Sequence, residues 1–509
     1  MTVLELSSTP FLAGSLLLTL AITLRFLAAN KQKLPLGPRG LPWIGQALDI
    51  PMYHSHLYYT KLRDTYGDVY SLTALGQKFI ILNSYSAAFD MLAKHGATYC
   101  NRPGNPYLRH FLGHTDAPSV IDAGPDWKEA RRLYQTLLNK DTSRANYAEL
   151  IASQLRQYIL RVIELKSDTK NKRLDITIHK VFLESMYGIT VKDDDLLLLN
   201  AMTATEIASF SLLPTKHMIN IFPKLQYLPA WIPFQNWRIE AAKERELIDF
   251  TQDVPWQQAL DAEASGTAAE SFALGLLRER TPANEHLLKV TAVTNILAGI
   301  ETVDGVSRTF LLAMLLYPDI QRKAQEEIDR VIGHDRLPSI DDQPNLPYLD
   351  AIVKEVIRWR PVAPIGVPTT PTRPSKYGEY HIFEDVIVVQ NSWGISRDER
   401  IYPDAESFNP DRWLVPHPPT DSRSWIFGIG RRVCPGMSYA EVVYTTLFMT
   451  LLATVDIVHA IDQDGKEVYV DPAVPTTGRV ISIPQDFSYQ LRPRSESAHS
   501  LLHEAALAA

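Results

Sequence analysis

Cys434 is one of only two cysteines in the chain, the other being Cys100. It lies in Phe427-Gly428-Ile429-Gly430-Arg431-Arg432-Val433-Cys434-Pro435-Gly436, which fits F-x-x-G-x-x-x-C-x-G. With Gly at ~7% of residues and Cys far rarer, such a match arises by accident in about one chain per thousand. A sulfur binds metal as thiolate, and a helix start, with unpaired N–H groups and positive partial charge, stabilises that form. Pro435 suits a first helical turn, which puts Cys434 at the cap. Gly430 and Gly436 remove side chains where the loop must lie flat against a planar ligand, and Phe427 shields the sulfur from water. The bland alternative, a buried cysteine in a glycine-rich turn, is the reading kept for Cys100.

This loop resembles that of the cytochrome P450 family of haem-thiolate monooxygenases, and four further segments follow in family order. Glu355-Val356-Ile357-Arg358 matches E-x-x-R, with both charges on one helix face. Phe408-Asn409-Pro410-Asp411-Arg412-Trp413 resembles the segment whose arginine, here Arg412, completes a buried network with Glu355 and Arg358 and holds the cysteine loop. Trp127-Lys128-Glu129-Ala130-Arg131 matches W-x-x-x-R; positions i and i+4 share a face, so Trp127 and Arg131 can both reach haem propionates. Arg432 matches another propionate ligand. Leu297-Ala298-Gly299-Ile300-Glu301-Thr302 lies in an apolar helix running from about Glu285 to before Pro318. An isolated Thr there would bond the carbonyl four residues back. The resemblance instead implies that a widened turn at Ala298 and Gly299 opens a groove for dioxygen and that Glu301 and Thr302 deliver protons to it. Three departures stand out: Thr369 follows Pro368 where many relatives have His or Arg, Val303 replaces a second Thr or Ser, and Glu301 replaces Asp.

The resemblance implies haem b, O2 and a lipophilic small-molecule substrate. Fungal secondary-metabolite tailoring oxidases, such as the O-methylsterigmatocystin oxidoreductase group, are the expected relatives. No Gly-rich dinucleotide fingerprint accompanies these motifs, so electrons from NADPH are expected through a separate flavoprotein reductase. That partner would dock near Lys128, Arg131, Arg132 and Arg431. By the same analogy residues 101–126, 208–234, 362–369 and 475–478 wall the substrate pocket. Phe222, Leu225, Tyr227, Leu228, Trp231, Ile232 and Phe234 also suit a surface dipping into a membrane. Two other readings stay open: a haem-thiolate isomerase or dehydratase needing no reductase, and a membrane-tethered haem-binding protein without turnover.

The elements that must position these residues follow from the rest of the chain. With 509 residues, 45% hydrophobic and 21% charged, it can bury a large core. A net charge of −7 argues against nucleic acid. Two cysteines are too few for a disulfide framework and point to a reducing compartment. Residues 11–29 are almost wholly apolar, ~28 Å as a helix, with Arg25 near the end and Lys31, Lys33 and Arg39 beyond it. This predicts a retained single-pass anchor over residues 1–30, in the endoplasmic reticulum membrane, with the catalytic domain facing the cytosol. Residues 31–50, rich in Pro and Gly, read as a stiff hinge, and 51–494 as one catalytic domain. Helical periodicity dominates, with strands at 78–82 and 386–389 and a last long apolar helix at about 437–455. The fold class is mainly α with a smaller β-rich region (α+β), and residues 495–509 read as a disordered tail.

Overall fold

The computed structural model describes residues 34–166, 171–213, 216–229, 231–232 and 235–507. The expected anchor, residues 31–33 and Phe234 lie outside them. Among the described residues no helix is long and apolar enough to cross a membrane.

The predicted apolar helix is the spine of the core, spanning Glu285–Leu316. Its residues from Val303 to Leu315 are buried all round, which is what a helix without a polar face requires. Pro318 ends it and opens the next helix, Pro318–Ile332, at the position where its missing N–H costs nothing. Around this spine pack Lys172–Tyr187, Leu196–Ser211, Asn236–Ser265 and the last long helix, Met437–Thr454. The Phe310 and Phe448 rings stack at 3.8 Å between the spine and the last of these. The two β-branched runs seen in the sequence are neighbours: Gln77–Leu82 pairs antiparallel with Val69–Ala74 and parallel with Val386–Gln390, Lys78 opposite Val386. A second sheet joins Val455–Ile461 to Glu467–Val468 and Tyr489–Pro493.

Two expected boundaries change. The stretch 34–50 is no free hinge but a strap laid along Val69–Ala74. Gln46 N–H donates to the Thr73 carbonyl at 2.7 Å, and the Ser71 hydroxyl donates to the Pro35 carbonyl at 2.7 Å. Gly45, at φ +63°, lies where a Cβ would collide with the Thr73 carbonyl. The tail is not disordered: Glu496–Leu507 is a helix packed on Lys140–Leu165 with Leu502 buried. Ala498, Leu501, Leu502 and Ala505 give it a narrow apolar stripe that the intervening polar residues mask.

The expected charge network is present and fully buried. Glu355, on the helix Pro347–Trp359, accepts from Arg358 Nε and Nη2 at 2.8 Å each and from Arg412 Nε at 3.1 Å. It also takes Trp413 Nε1 at 3.1 Å and the Asn409 amide at 2.8 Å. Arg358 spends its remaining donors on the Ser396, Ala405 and Ser407 carbonyls, and Arg412 on those of Pro403, Asp404 and Ser407. One carboxylate thus fixes the chain over 396–413, just before the cysteine loop. Glu355→Gln would leave two buried guanidinium groups without their counter-charge and is expected to lower stability by ~3–5 kcal/mol in denaturant titration. Lys323→Gln, which breaks the half-exposed pair with Asp411, should cost less than about 1 kcal/mol.

Candidate active site

The cysteine loop turns twice before the last helix. Gly428 (φ +83°) and Gly430 (φ +73°) take left-handed conformations open to glycine, and the Cys434 amide donates back to the Phe427 carbonyl at 2.6 Å. Gly430 is needed because a Cβ would collide with the Leu92 carbonyl of the neighbouring turn, not because it faces the cavity. Gly436 does border the cavity and has open space beside it. The helix begins at Met437, where the apolar run predicted it, but its N-cap is Gly436, so Cys434 stands two residues before the cap and not at it. Some stabilisation of a thiolate survives, from the Gly436 amide and the Arg131 charge, but burial outweighs both and pushes the Cys434 thiol up. The sulfur's exposure is toward an internal cavity, and protein surrounds it on its other sides.

That cavity, of about 370 Å³, lies between the cysteine loop and the spine helix. Cys434, Phe427, Trp127, Arg131 and Arg432 all line it, as expected. So does Arg102, which was expected only as part of a substrate-pocket wall. Arg131 Nη1 donates to the Val433 carbonyl at 2.6 Å. Arg432 reaches the Cys100 carbonyl (2.6 Å) and the Ile121 carbonyl (2.7 Å), its guanidinium over the Trp127 ring at 4.7 Å. Arg102 Nη1 takes the Val367 carbonyl (2.7 Å) and the Pro368 carbonyl (2.9 Å), directly beside Thr369. Burial, with repulsion from Arg432, brings Arg102 down to about 9, and burial brings Arg432 down to about 10. Three cations converge on one cavity, and among the described residues their side chains hydrogen-bond to carbonyls and to no carboxylate. This arrangement calls for an anionic ligand, and a porphyrin bearing two propionates over a cysteine sulfur fits it. Thr369 contributes no cation, but Arg102 stands beside the position that the departure left empty. A signal existed in the sequence: an Arg directly after Asn101 in a loop otherwise short of cations.

Across the cavity, Ala298, Gly299, Glu301 and Thr302 line the roof together. The helix is regular there, with no widened turn. Gly299 is small because a Cβ would strike the Phe182 ring, and Thr302 makes the ordinary interior bonds, to the Gly299 carbonyl at 2.9 Å and the Ala298 carbonyl at 3.2 Å. Ala298 faces open space. Burial raises Glu301 to about 7, against the opposing pull of the nearby Ser209 hydroxyl and Arg479.

Of the expected walls, the first stretch contributes Arg102, Leu108, His114 and residues 117–120. Among its described residues the second contributes Ala208, Ser209 and Leu212; Phe222, Tyr227, Leu228 and Trp231 lie exposed on the surface. The last wall is Ile481 rather than the turn at 475–478. Of the four expected docking cations, Arg131 points inward and Arg132 is held by Glu129 and Glu279, which leaves Lys128 and Arg431 exposed.

Comparison with known proteins gives the same assignment. The family described as Cytochrome P450 matches residues 35–469. The chain is 32% identical to cytochrome P450 monooxygenase COX2 of Coprinopsis cinerea, over 93% of this chain and 92% of that protein. It is 33% identical to cytochrome P450 monooxygenase 208 of Postia placenta, over 92% of each. It is 32% identical to cytochrome P450 monooxygenase claR of Ampulloclitocybe clavipes, over 94% of this chain and 91% of that one. A cysteine sulfur facing a cavity ringed by arginines, an acid and alcohol opposite it, and these matches along nearly the whole chain together place the protein in the cytochrome P450 family, as a monooxygenase.

Proposed function

We propose that this monooxygenase inserts one oxygen atom of O2 into a lipophilic small molecule of fungal secondary metabolism, with electrons from NADPH passed on by a separate flavoprotein reductase. The observation that carries this reading is the Cys434 sulfur opening into a largely apolar cavity directly opposed by Glu301 and Thr302. The fungal relatives, all monooxygenases by name, support it. Haem, when bound, supplies the activation of dioxygen, helped by electron donation from a thiolate.

The chain's own residues do the rest. Cys434 would hold the iron through its sulfur, where burial favours the thiol and the Gly436 amide and the Arg131 charge favour the thiolate. Arg102, Arg131, Arg432 and Trp127 would hold and orient the propionates. Val303, Val306, Val362, Ala363 and Ile481 exclude water and hold an apolar substrate. Glu301 retains its proton up to about neutral pH and can give it to the oxygen side of the cavity. Thr302 can accept there as it stands; to donate, its hydroxyl must leave the Gly299 carbonyl, which costs about one hydrogen bond, ~0.5–1.5 kcal/mol. Anchoring in the endoplasmic reticulum membrane, facing the cytosol, completes the proposal. The exposed Leu36, Trp43, Leu48, Tyr227 and Trp231 favour it.

Cys434→Ala should abolish the thiolate-type spectrum of the reduced carbonyl complex; its persistence would overturn the reading. Thr302→Val and Glu301→Gln should keep that spectrum and NADPH oxidation but yield product in a fraction of turnovers, about 10- to 100-fold less, with hydrogen peroxide as the balance. In the wild type, product per NADPH should fall as pH rises through about 7, where Glu301 gives up its proton for good, and Glu301→Gln should lack this limb. Arg102→Gln should speed transfer of haem to an apo-globin acceptor by roughly tenfold or more, the worth of a charge-assisted bond. Removal of residues 1–30 should release the protein from membranes in alkaline carbonate, whereas the full chain stays in the pellet.

A further inference from the structure

Arg479 stands outside the cavity lining but within 3.8 Å of Glu301, the acid of the cavity roof. It projects from a loop fixed on both sides: the Ser482 amide donates to the Val362 carbonyl at 2.7 Å, and the His54 amide to the Gly478 carbonyl at 2.8 Å. The guanidinium lies over the Phe210 ring, 3.6 Å from its centre, which sets its plane. One edge then faces inward, Nη1 being 3.8 Å from Glu301 Oε1, and the other outward, Nη2 being 3.7 Å from Glu206 Oε1. Arg479 and Glu301 are largely shielded, whereas the Glu206 side chain is 61% exposed. Both separations exceed a hydrogen bond, so charge rather than bonding geometry couples the three groups.

We propose that Arg479 is the positioning residue of Glu301, holding its carboxyl at the cavity roof and setting the pH at which it surrenders its proton, with Glu206 competing from outside for the same cation. This rests on Glu301 acting as proton donor. The groups that face Glu301 come from three elements: Arg479 on its loop, Glu206 on Leu196–Ser211, and Asp175 on Lys172–Tyr187. Asp175 is already engaged by His179 at 3.2 Å and feels the charge of Arg308. Arg479 is therefore the cation that opposes burial at Glu301, and the two acids act the other way. A bridge serving only to tie the loop to the two helices would not care about the sign of the charges it removes.

That difference supplies the test. The holoenzyme is titrated by infrared difference spectroscopy, with the Glu301 carboxyl band identified by its loss in Glu301→Gln, and product per NADPH is followed over the same pH range. Arg479→Gln should move the Glu301 midpoint and the alkaline limb up by about 1 pH unit. Glu206→Gln, which removes a repelling charge and leaves Arg479 to Glu301 alone, should move both down by a smaller step. Arg479→Lys should restore most of the wild-type midpoint. The spectrum of the reduced carbonyl complex checks that each variant is folded and loaded. A Glu301 midpoint that stays put in both Gln variants, or moves the same way in both, overturns the proposal. If Arg479→Gln does not fold, the direction of the Glu206→Gln shift decides alone, no shift or an upward one overturning it. If Glu301→Gln leaves product per NADPH unchanged, Glu301 is not the donor, and the infrared midpoints still decide whether Arg479 tunes it.

Discussion

A carboxylate with no exposure to solvent, Glu355, is the constraint on which the rest of the structure depends. Two guanidinium groups, an indole and a backbone amide share its two oxygens. Such a cluster gives little stability over an apolar core of the same shape, but it tolerates one arrangement only, because any shift strands a buried charge. It joins the helix Pro347–Trp359 to the chain over 396–413. Tyr402, inside that stretch, accepts from Trp425 Nε1 at 2.9 Å, and Gln390 Nε2 donates to the Trp425 carbonyl at 2.7 Å. Phe427 follows two residues later. The position of the sulfur is thus inherited from a cluster whose charged members, Glu355, Arg358 and Arg412, do not line the cavity.

Holding the sulfur in place and holding it charged are separate tasks, and the fold does only the first. One amide and one arginine favour the thiolate, and burial opposes it more strongly. The loop is therefore suited to a partner that brings positive charge with it. The open space beside Gly436 makes room for that partner, and the arginines that line the cavity suit an anionic edge. A reactive free thiol, by contrast, would sit in an electropositive and open place where its charge needs no metal.

The motifs were legible because each fixes residue types at a spacing that local geometry dictates: i,i+3 for Glu355 and Arg358, i,i+4 for Trp127 and Arg131. The spine helix and the last helix were legible because each is a long, predominantly apolar run. What escaped depends on tertiary contact. Gly430 yields to a carbonyl on a distant turn, and Gly299 to the Phe182 ring; both need a glycine, but neither need is visible from neighbouring residues. Arg102 acquires its role only when residues 367 and 368 fold beside it. The strap at 34–50 looked like a hinge because Pro and Gly break regular structure, while its pairing with Val69–Ala74 is written in backbone groups that carry no sequence signal. Glu206 and Arg479, far apart in the chain, meet only over Phe210.

The cavity separates its charges by sign. Arg102, Arg131 and Arg432 gather at the rim beside the cysteine loop, and the acid stands on the opposing helix. Were Glu301 among the three arginines, their summed charge would hold it ionised at every working pH and it would have no proton to give. Were the arginines near the roof, they would compete with substrate for the apolar walls. Distance from the rim leaves Glu301 to burial, opposed by the Ser209 hydroxyl and by Arg479, and a group balanced between opposing influences titrates where small changes in any of them can move it. The same distance lets the rim be as positive as its anionic ligand demands without disturbing the chemistry above.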